Sequence, residues 1–490
     1  MSGITPSAWR VLLGHPDKES GGLQLWLRQA IVVAIDSGRL IPGTRLPASR
    51  VLADTLGLSR NTVIAALRTL VESGHLESRE RSGIWVRTGP VPVVRPLLRK
   101  SEDGWRQPPA IRPNLFRAVH PDARKAELPY SFLDGHVDPA LFPLGHWREA
   151  VRAASSVGAI PGWMREDTSD DPMLVDELCR QILPVRGIWA APSEVMLTTG
   201  TRQGLFLVAQ LFLTGGRRAA IEDPGNPGLR SMLRLFTPLV TDISVDGQGA
   251  VFSSGVLGSD AIFLSATQQI PTSAALSPDR RRSFLDMAAR TGAVIVDDDS
   301  CAGTLAADAP VALRAQDQTG NTIHLGSLTR LLAPGLRMGF IVAPADILVE
   351  LRALRALMQG QLPTNNQRAM ACFLALGHYR SHLSRMRTVM EARLETCRAA
   401  LALHLPDVTC SPGRGTTFWL TLPGGMDSGQ IARAAASDGV GVEPGTTLYG
   451  APEAGKRHLC LSVAAIPEAK IARGIALLAE VIRRLYPAGK

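Results

Sequence analysis

Apolar side chains return at helical spacing from Leu23 to Ile35, at Leu23, Trp26, Leu27, Ala30, Ile31, Ala34 and Ile35, and Gly38 closes the segment. The pattern predicts one amphipathic helix. After the turn LIPGTRLP, the stretch ASRVLADTLGL predicts a short second helix ending at Gly57, and SRNTVIAALRTLVESG a third, capped by Ser59 and stopped by Gly74. The last two helices and the turn between them make a helix-turn-helix, and HLESRERSGIWV predicts two short strands around Glu80 to Gly83, which form a wing. Periodicity then stops. Residues 89–129 are rich in proline and charge, with Pro90, Pro92, Pro96, Pro108, Pro109 and Pro113 breaking any helix, so an extended linker is expected. From Tyr130 onward apolar strands alternate with turns and helix starts, in FLDGHVDPALFPLGHWREAV, EVMLTTGTRQGLFLVAQLF, AAIEDPGNPGLRSML, DAIFLSATQQIPTSAALSPDRRR and GAVIVDDDSCAG. That alternation predicts a mainly parallel sheet with helices on both faces. A long helix through NNQRAMACFLALGHYRSHLSRMRTVMEARLETCRAAL, the strands TTFWLTLPGG and RHLCLSVAAI, and a last helix from Pro467 to Tyr486 read as a small α/β cap. The expected organisation is residues 1–88, a linker over 89–129, and an α/β domain over 130–490 whose small part begins near 365.

A chain of 490 residues is too long for one ordinary core, and 45% apolar residues are ample to bury two or three. The net charge of +9 favours an anionic partner, and only six of the cations are lysines. Guanidinium suits bidentate phosphate contacts, although a biased genome composition gives the same arginine excess. The arginines concentrate at the entry to the third helix, in the turn before it and in the wing, the arrangement expected of a DNA-binding module. Six scattered cysteines without a C-x-x-C pair indicate neither a disulfide framework nor a zinc site and fit a reducing cytoplasm. The N-terminus has no long apolar core behind a basic start, and the most apolar later run, Gly204 to Thr214, is bounded by Arg202 and Arg217. Neither a signal peptide nor a membrane span is expected. His378, Arg380, His382, Arg385 and Arg387 could form a basic stripe, but on a helix they are read as a solvated face.

Candidate chemistry gathers in HLGSLTRLLAPGLRMGF, His324 to Phe340, whose small, hydroxylated and cationic residues suit a phosphate-holding loop. Ser327 offers a hydroxyl and Arg337 a charged fork. Gly200 and Thr201 follow a strand and open a helix, where backbone N–H groups can meet an anion. In VIVDDDS, Asp298 stands at the C-terminal end of a strand, where ligands gather in open α/β sheets. Its neighbours Asp297 and Asp299 leave room for a slip of one position.

The segment SGRLIPGTRLPASRVLADTLGLSRNTVIAALRTLVESGHLESR resembles the winged helix-turn-helix of GntR-type bacterial regulators almost position by position, and from Gly21 to Leu485 the chain resembles their MocR subfamily. The resemblance implies a multidomain fold: an N-terminal winged helix-turn-helix, then an α/β domain of the pyridoxal-phosphate-dependent transferase kind, aminotransferase fold type I. It also implies a homodimer that binds a double-stranded DNA operator in the cytoplasm. Ser59, Arg60, Asn61 and Thr62 would lie near base edges and phosphates, with Arg50, Arg79 and Arg81 near the backbone. Ser327, Thr329, Pro334, Gly335, Leu336, Arg337 and Gly339 stand in the aminotransferase pattern S-x-S-K-x-L-x-P-G-L-R-x-G-Y, and by the same resemblance Gly200, Thr201, Ser327 and Arg337 match phosphate ligands and Asp298 the pyridinium partner. The lysine of the pattern falls on Arg330. Lysine forms a Schiff base with pyridoxal 5′-phosphate because a primary amine can lose its proton, whereas guanidinium stays protonated and is a poor nucleophile. Other departures are Ser300 and Asn226 for aromatics, Gln268 for a histidine, and His458 where a carboxylate-gripping arginine is expected. The sequence therefore points to a DNA-binding transcriptional regulator with a degenerate sensor domain and no catalytic residues. Pyridoxal 5′-phosphate, if bound, would be held non-covalently, and a small anionic effector could take its place at Arg330 and Arg337. The alternatives are an aminotransferase with an appended DNA-binding domain, or a regulator using the large domain only to dimerise.

Overall fold

Helices form in the N-terminal part where apolar spacing predicts them, at Leu23–Asp36, Ser49–Leu56 and Arg60–Glu72, followed by antiparallel strands β1 (Leu76–Arg79) and β2 (Gly83–Val86). The computed structural model describes residues 6–14, 22–79, 82–88, 111, 127–164, 169–301, 309–360, 362–411 and 415–487, and separates into two units, Met1–Pro108 and Pro109–Lys490. Almost all of the expected linker, and Glu80 and Arg81 of the wing, lie outside the described residues. Gly38, Gly57 and Gly74 take positive φ at the helix ends, as the stop signals require. Leu27, Ile31, Leu52, Val63, Leu67 and Leu70 interlock as the core of this unit, each fully buried leucine stabilising it by about 2 kcal/mol. One helix, Pro6–Leu13, is not expected from the sequence pattern. It buries Trp9 and Leu13 in the same core, and Arg10 donates from Nε to the carbonyl of Thr55 at 2.9 Å.

In the second unit β3 (Tyr130–Ser131) leads into an eight-stranded sheet. Its strands are β4 (Val195–Thr198), β5 (Ala219–Asp223), β6 (Val240–Asp246), β7 (Gly249–Ala250), β8 (Ala261–Leu264), β9 (Val294–Asp298), β10 (Thr322–Ser327) and β11 (Gly339–Val342), in the order β4-β11-β10-β9-β8-β5-β6-β7. Strands β10, β9, β8, β5 and β6 are mutually parallel, and β11 and β7 run against their neighbours. Continuous burial along β4, β8 and β11 accounts for their unbroken apolar runs, since helices cover both faces. The remainder holds β12 (Thr409–Cys410), β13 (Thr417–Thr421), β14 (Val440–Gly441), β15 (Glu443–Pro444) and β16 (His458–Ser462), with helices His378–His404, Ser428–Ser437 and Glu468–Leu485. Strand β14 pairs with β3, so the first strand after the linker region belongs to this smaller layer. The basic stripe is only partly the solvated face expected. His382 is buried with Nε2 3.1 Å from the carbonyl of Leu331, His378 meets Glu149 at 3.1 Å, and Arg385 donates to the carbonyl of Leu141. The helix turns His382 inward, whereas Arg380 and Arg385 remain exposed, so part of the stripe keeps the solvated character expected of it.

Candidate ligand cavity and nucleic-acid face

In the N-terminal unit, Ser59 caps helix Arg60–Glu72 by accepting the backbone N–H of Thr62 at 3.1 Å, and its hydroxyl also meets that of Thr62 at 2.8 Å. Arg60 and Asn61 project exposed from the first turn, and Arg50 is exposed on the preceding helix. That turn combines free backbone donors, the positive end of the helix dipole and a cation, the ingredients of a phosphate and base-edge contact. Arg79 is exposed at the end of β1 but engaged: it pairs with Glu77 and stacks on Trp85 with Cζ 4.9 Å from the ring centre. Arg45, which the sequence did not single out, stacks on the same indole at 5.8 Å. Trp85 in turn donates from its ring N–H to the carbonyl of Ser82 at 3.2 Å, bracing the wing. Arg81 lies outside the described residues.

In the second unit a cavity of about 480 Å³ opens at the C-terminal ends of the parallel strands, and Gly200, Thr201, Asp298, Ser327, Arg330 and Arg337 all line it. Gly200 is the N-cap of helix Thr201–Leu213 with φ 77, and no side chain caps that end, which leaves its N–H groups facing the cavity. The Arg337 guanidinium lies over Gly200 and donates from Nη2 to the carbonyl of Thr199 at 3.3 Å. Arg337 itself sits at φ 53, a left-handed conformation that costs an L-residue about 1 kcal/mol. Ser327 Oγ accepts the backbone N–H groups of Thr329 and Arg330 at 3.3 and 3.2 Å, which fixes the loop and leaves the hydroxyl proton available to a ligand. Gly339 permits the close seating of this loop, because a Cβ there would fall 3.0 Å from the backbone N of Thr201.

Strand alternation fixes the register of the three aspartates. Asp297 and Asp299 point away from the cavity: the first accepts from the N–H groups of Ala266 and Leu313, both at 3.2 Å, and the second binds Arg186 at 2.7 Å. Asp298 is the one turned into the cavity, accepting from the N–H of Ser300 at 3.1 Å. Elsewhere in the lining, burial pushes the carboxyl of Glu222 up to about 8, so this group is largely neutral at pH 7.

Arg330 is not directed at empty space. Its Nη2 lies 2.6 Å from Oδ2 of Asp134, which also lines the cavity. Sequence reasoning missed this partner, and missed Cys301 and Cys460, whose thiols burial raises to about 12 and well above the usual thiol range. Among the described lining residues Phe263 is the sole aromatic, and it is a buried strand residue. Asn226 lines the cavity as a helix cap, its Oδ1 accepting from the N–H groups of Gly228 and Leu229 at 2.9 and 3.2 Å. The late strand also differs from expectation. On β16 the residue at the cavity is Cys460; His458, two positions earlier, stacks on Trp419 with ring centres 4.9 Å apart, and Arg457 bonds the carbonyl of Leu422 at 3.1 Å. The residues present suit a phosphate group and an adjacent aspartate, and they do not suit a covalent amine anchor.

The sequence matches the family model "Bacterial regulatory proteins, gntR family" over residues 24–86 and "Aminotransferase class I and II" over residues 147–478. It is 35% identical to the HTH-type transcriptional regulator TauR of Rhodobacter capsulatus, over 94% of this chain and 97% of the relative. It is 28% identical to the probable rhizopine catabolism regulatory protein MocR of Rhizobium meliloti, over 78% of this chain and 77% of that one. Among solved structures it is similar to LysN, the alpha-aminoadipate aminotransferase of Thermus thermophilus, with TM-score 0.69 and 26% identity over 77% of this chain and 98% of that chain. The kynurenine aminotransferase of Pyrococcus horikoshii shares the fold with TM-score 0.70 at 23% identity, over 77% of this chain and 98% of that one.

Proposed function

Since the chain belongs to the gntR-type bacterial regulatory proteins that carry a class I and II aminotransferase domain, we propose that it regulates transcription by binding operator DNA, with the aminotransferase-like unit sensing a small anionic ligand. The observation that carries this reading is the first turn of helix Arg60–Glu72, where Arg60 and Asn61 stand exposed behind a satisfied Ser59 cap. Arg50 and the wing arginines Arg79 and Arg81 supply phosphate contacts, and Arg45 extends that set.

In the cavity, Gly200, Thr201, Ser327 and Arg337 hold the phosphate of a ligand and Asp298 a protonated ring nitrogen. Pyridoxal 5′-phosphate fits these two ends, and it would supply an electron-withdrawing ring there. Arg330 stands where the family's lysine does, and its guanidinium is committed to Asp134. Turnover as an aminotransferase needs an amine that returns the cofactor to its resting state, and among the described residues no cavity-lining side chain is a lysine. The protein is therefore read as a sensor rather than an enzyme, acting as a homodimer in the cytoplasm. No helix among the described residues is long and apolar enough to cross a membrane.

Fluorescence anisotropy of the full-length protein on DNA from upstream of its own gene, against random DNA, tests the central claim. Arg60→Ala/Asn61→Ala should lose the preference while keeping the oligomeric state of the wild type. A double variant that still discriminates the two DNAs would refute base reading by this helix.

A further inference from the structure

Arg330 and Asp134 are 196 positions apart in sequence, yet they meet at 2.6 Å inside the cavity, with side chains 28 and 29% exposed. Partial enclosure makes such a charge-assisted pair stronger than a surface one, and Nη2 of the guanidinium that would receive a ligand's carboxylate is already engaged by Asp134. Cys301 and Cys460 line the same cavity as neutral thiols and add no charge to it. Asp298 and Glu443 add carboxylates to the lining, whereas the phosphate end has Arg337 and the N-terminus of helix Thr201–Leu213, with Arg202 in its first turn also lining the cavity. The cavity is thus polarised. One end is ready for a phosphate, and at the other an anion must compete with a carboxylate that the chain itself supplies.

Building on the ligand-sensing reading above, we propose that Asp134 is the residue that determines which ligand class the cavity takes. It acts as an internal stand-in for a carboxylate on Arg330, so the site selects a phosphate monoester whose far end is uncharged or a hydrogen-bond donor, and rejects one that carries a second anion there. Arg330 then serves as a charge balanced in place, and the selectivity resides in its partner.

Two ring compounds separate the cases: pyridoxine 5′-phosphate, with a neutral hydroxymethyl group, and 4-pyridoxic acid 5′-phosphate, with a carboxylate on the same ring carbon. Neither has an aldehyde to react with surface lysines. Calorimetric titration of the full-length protein should show the wild type preferring the neutral compound. Asp134→Asn should raise affinity for the carboxylate compound by about tenfold or more, the usual worth of one charge-assisted contact. It should leave the neutral compound within about threefold, since the amide side chain fills the same space as the carboxylate it replaces. Adding Arg330→Gln should abolish the gain, which ties it to the guanidinium. Asp134→Ser provides the same comparison if the asparagine variant fails to fold. An unchanged ratio of the two affinities in Asp134→Asn, or a gain that survives Arg330→Gln, overturns the inference while leaving the ligand-sensing reading in place. Binding of neither compound to any of these proteins overturns both.

Discussion

Replacing Arg337 separates the charge of the phosphate cup from its backbone geometry. The guanidinium is exposed and held by one hydrogen bond to the carbonyl of Thr199, so its pairing with a phosphate is worth about 1.5 kcal/mol rather than a buried-site value, or roughly tenfold in affinity. Ser327 contributes a neutral hydroxyl worth about 0.5–1 kcal/mol, or two- to fivefold. Arg337→Ala should therefore weaken binding of pyridoxine 5′-phosphate more than Ser327→Ala does. Stability should follow another order. Ser327→Ala leaves the N–H groups of Thr329 and Arg330 without their acceptor and should cost about 1–2 kcal/mol. Arg337→Ala keeps a side chain at φ 53, whereas Arg337→Gly relieves it and should be more stable than the alanine variant by about 1 kcal/mol while binding equally weakly. Calorimetric titration and thermal melts of the three variants measure both orders. Equal affinity losses in Ser327→Ala and Arg337→Ala, or none, would mean that the cup does not hold the phosphate. A glycine variant less stable than the alanine variant would remove the backbone part of the reasoning.

Wild-type protein treated with pyridoxal 5′-phosphate and borohydride should carry no adduct on the loop from His324 to Phe340, whereas Arg330→Lys should gain one detectable by mass spectrometry. That adduct should increase when Asp134→Asn is added, because the carboxylate 2.6 Å from Arg330 keeps a neighbouring amine protonated. Ser59→Ala should destabilise the N-terminal unit by about 1 kcal/mol, read as faster hydrogen exchange at Thr62, and Ser59→Asp should not, since a carboxylate accepts the same N–H. Glu222 is expected to make stability fall with pH. Its folded value of about 8 lies above the unfolded one of 4.5, so the native state holds the proton longer, and the stability present below pH 4.5 is lost as pH rises to 8. Glu222→Gln should flatten the melting temperature across that window, and an unaltered pH profile would show that the carboxyl is already ionised in the fold.

The N-terminal helices and the alternation of the large sheet were legible because their signals are local: periodicity, caps and glycine stops act within a few residues of one another. The cavity was legible as a set, with six expected residues brought to one place, because four sit at the end of a strand or the start of a helix and Arg330 and Arg337 lie in the short loop between β10 and β11. What escaped depends on distance in sequence. Asp134 reaches Arg330 across 196 positions, and nothing near either residue announces the other. The register of β16 shows a related difficulty. His458 and Cys460 share a face of the strand, and only its pairing with β13 and β15 decides which of them reaches the cavity. The aspartate triplet behaved differently, since alternation turns Asp298 one way and Asp297 and Asp299 the other once the strand is placed. The helix Pro6–Leu13 was missed because, at eight residues, it has barely two turns in which to display a period.

That short helix determines where the DNA-binding unit can be cut. Similarity to the gntR family begins at residue 24, and a fragment started there for crystallography or screening would leave out Trp9 and Leu13, which are 2 and 6% exposed in the intact unit. The cavity left by the indole would open in the core that this helix shares with helices Ser49–Leu56 and Leu23–Asp36, and the carbonyl of Thr55 would lose the arginine bonded to it. A fragment beginning at or before Pro6 keeps that core sealed, so an insoluble product from the shorter cut would reflect its boundary and not a module unable to fold alone.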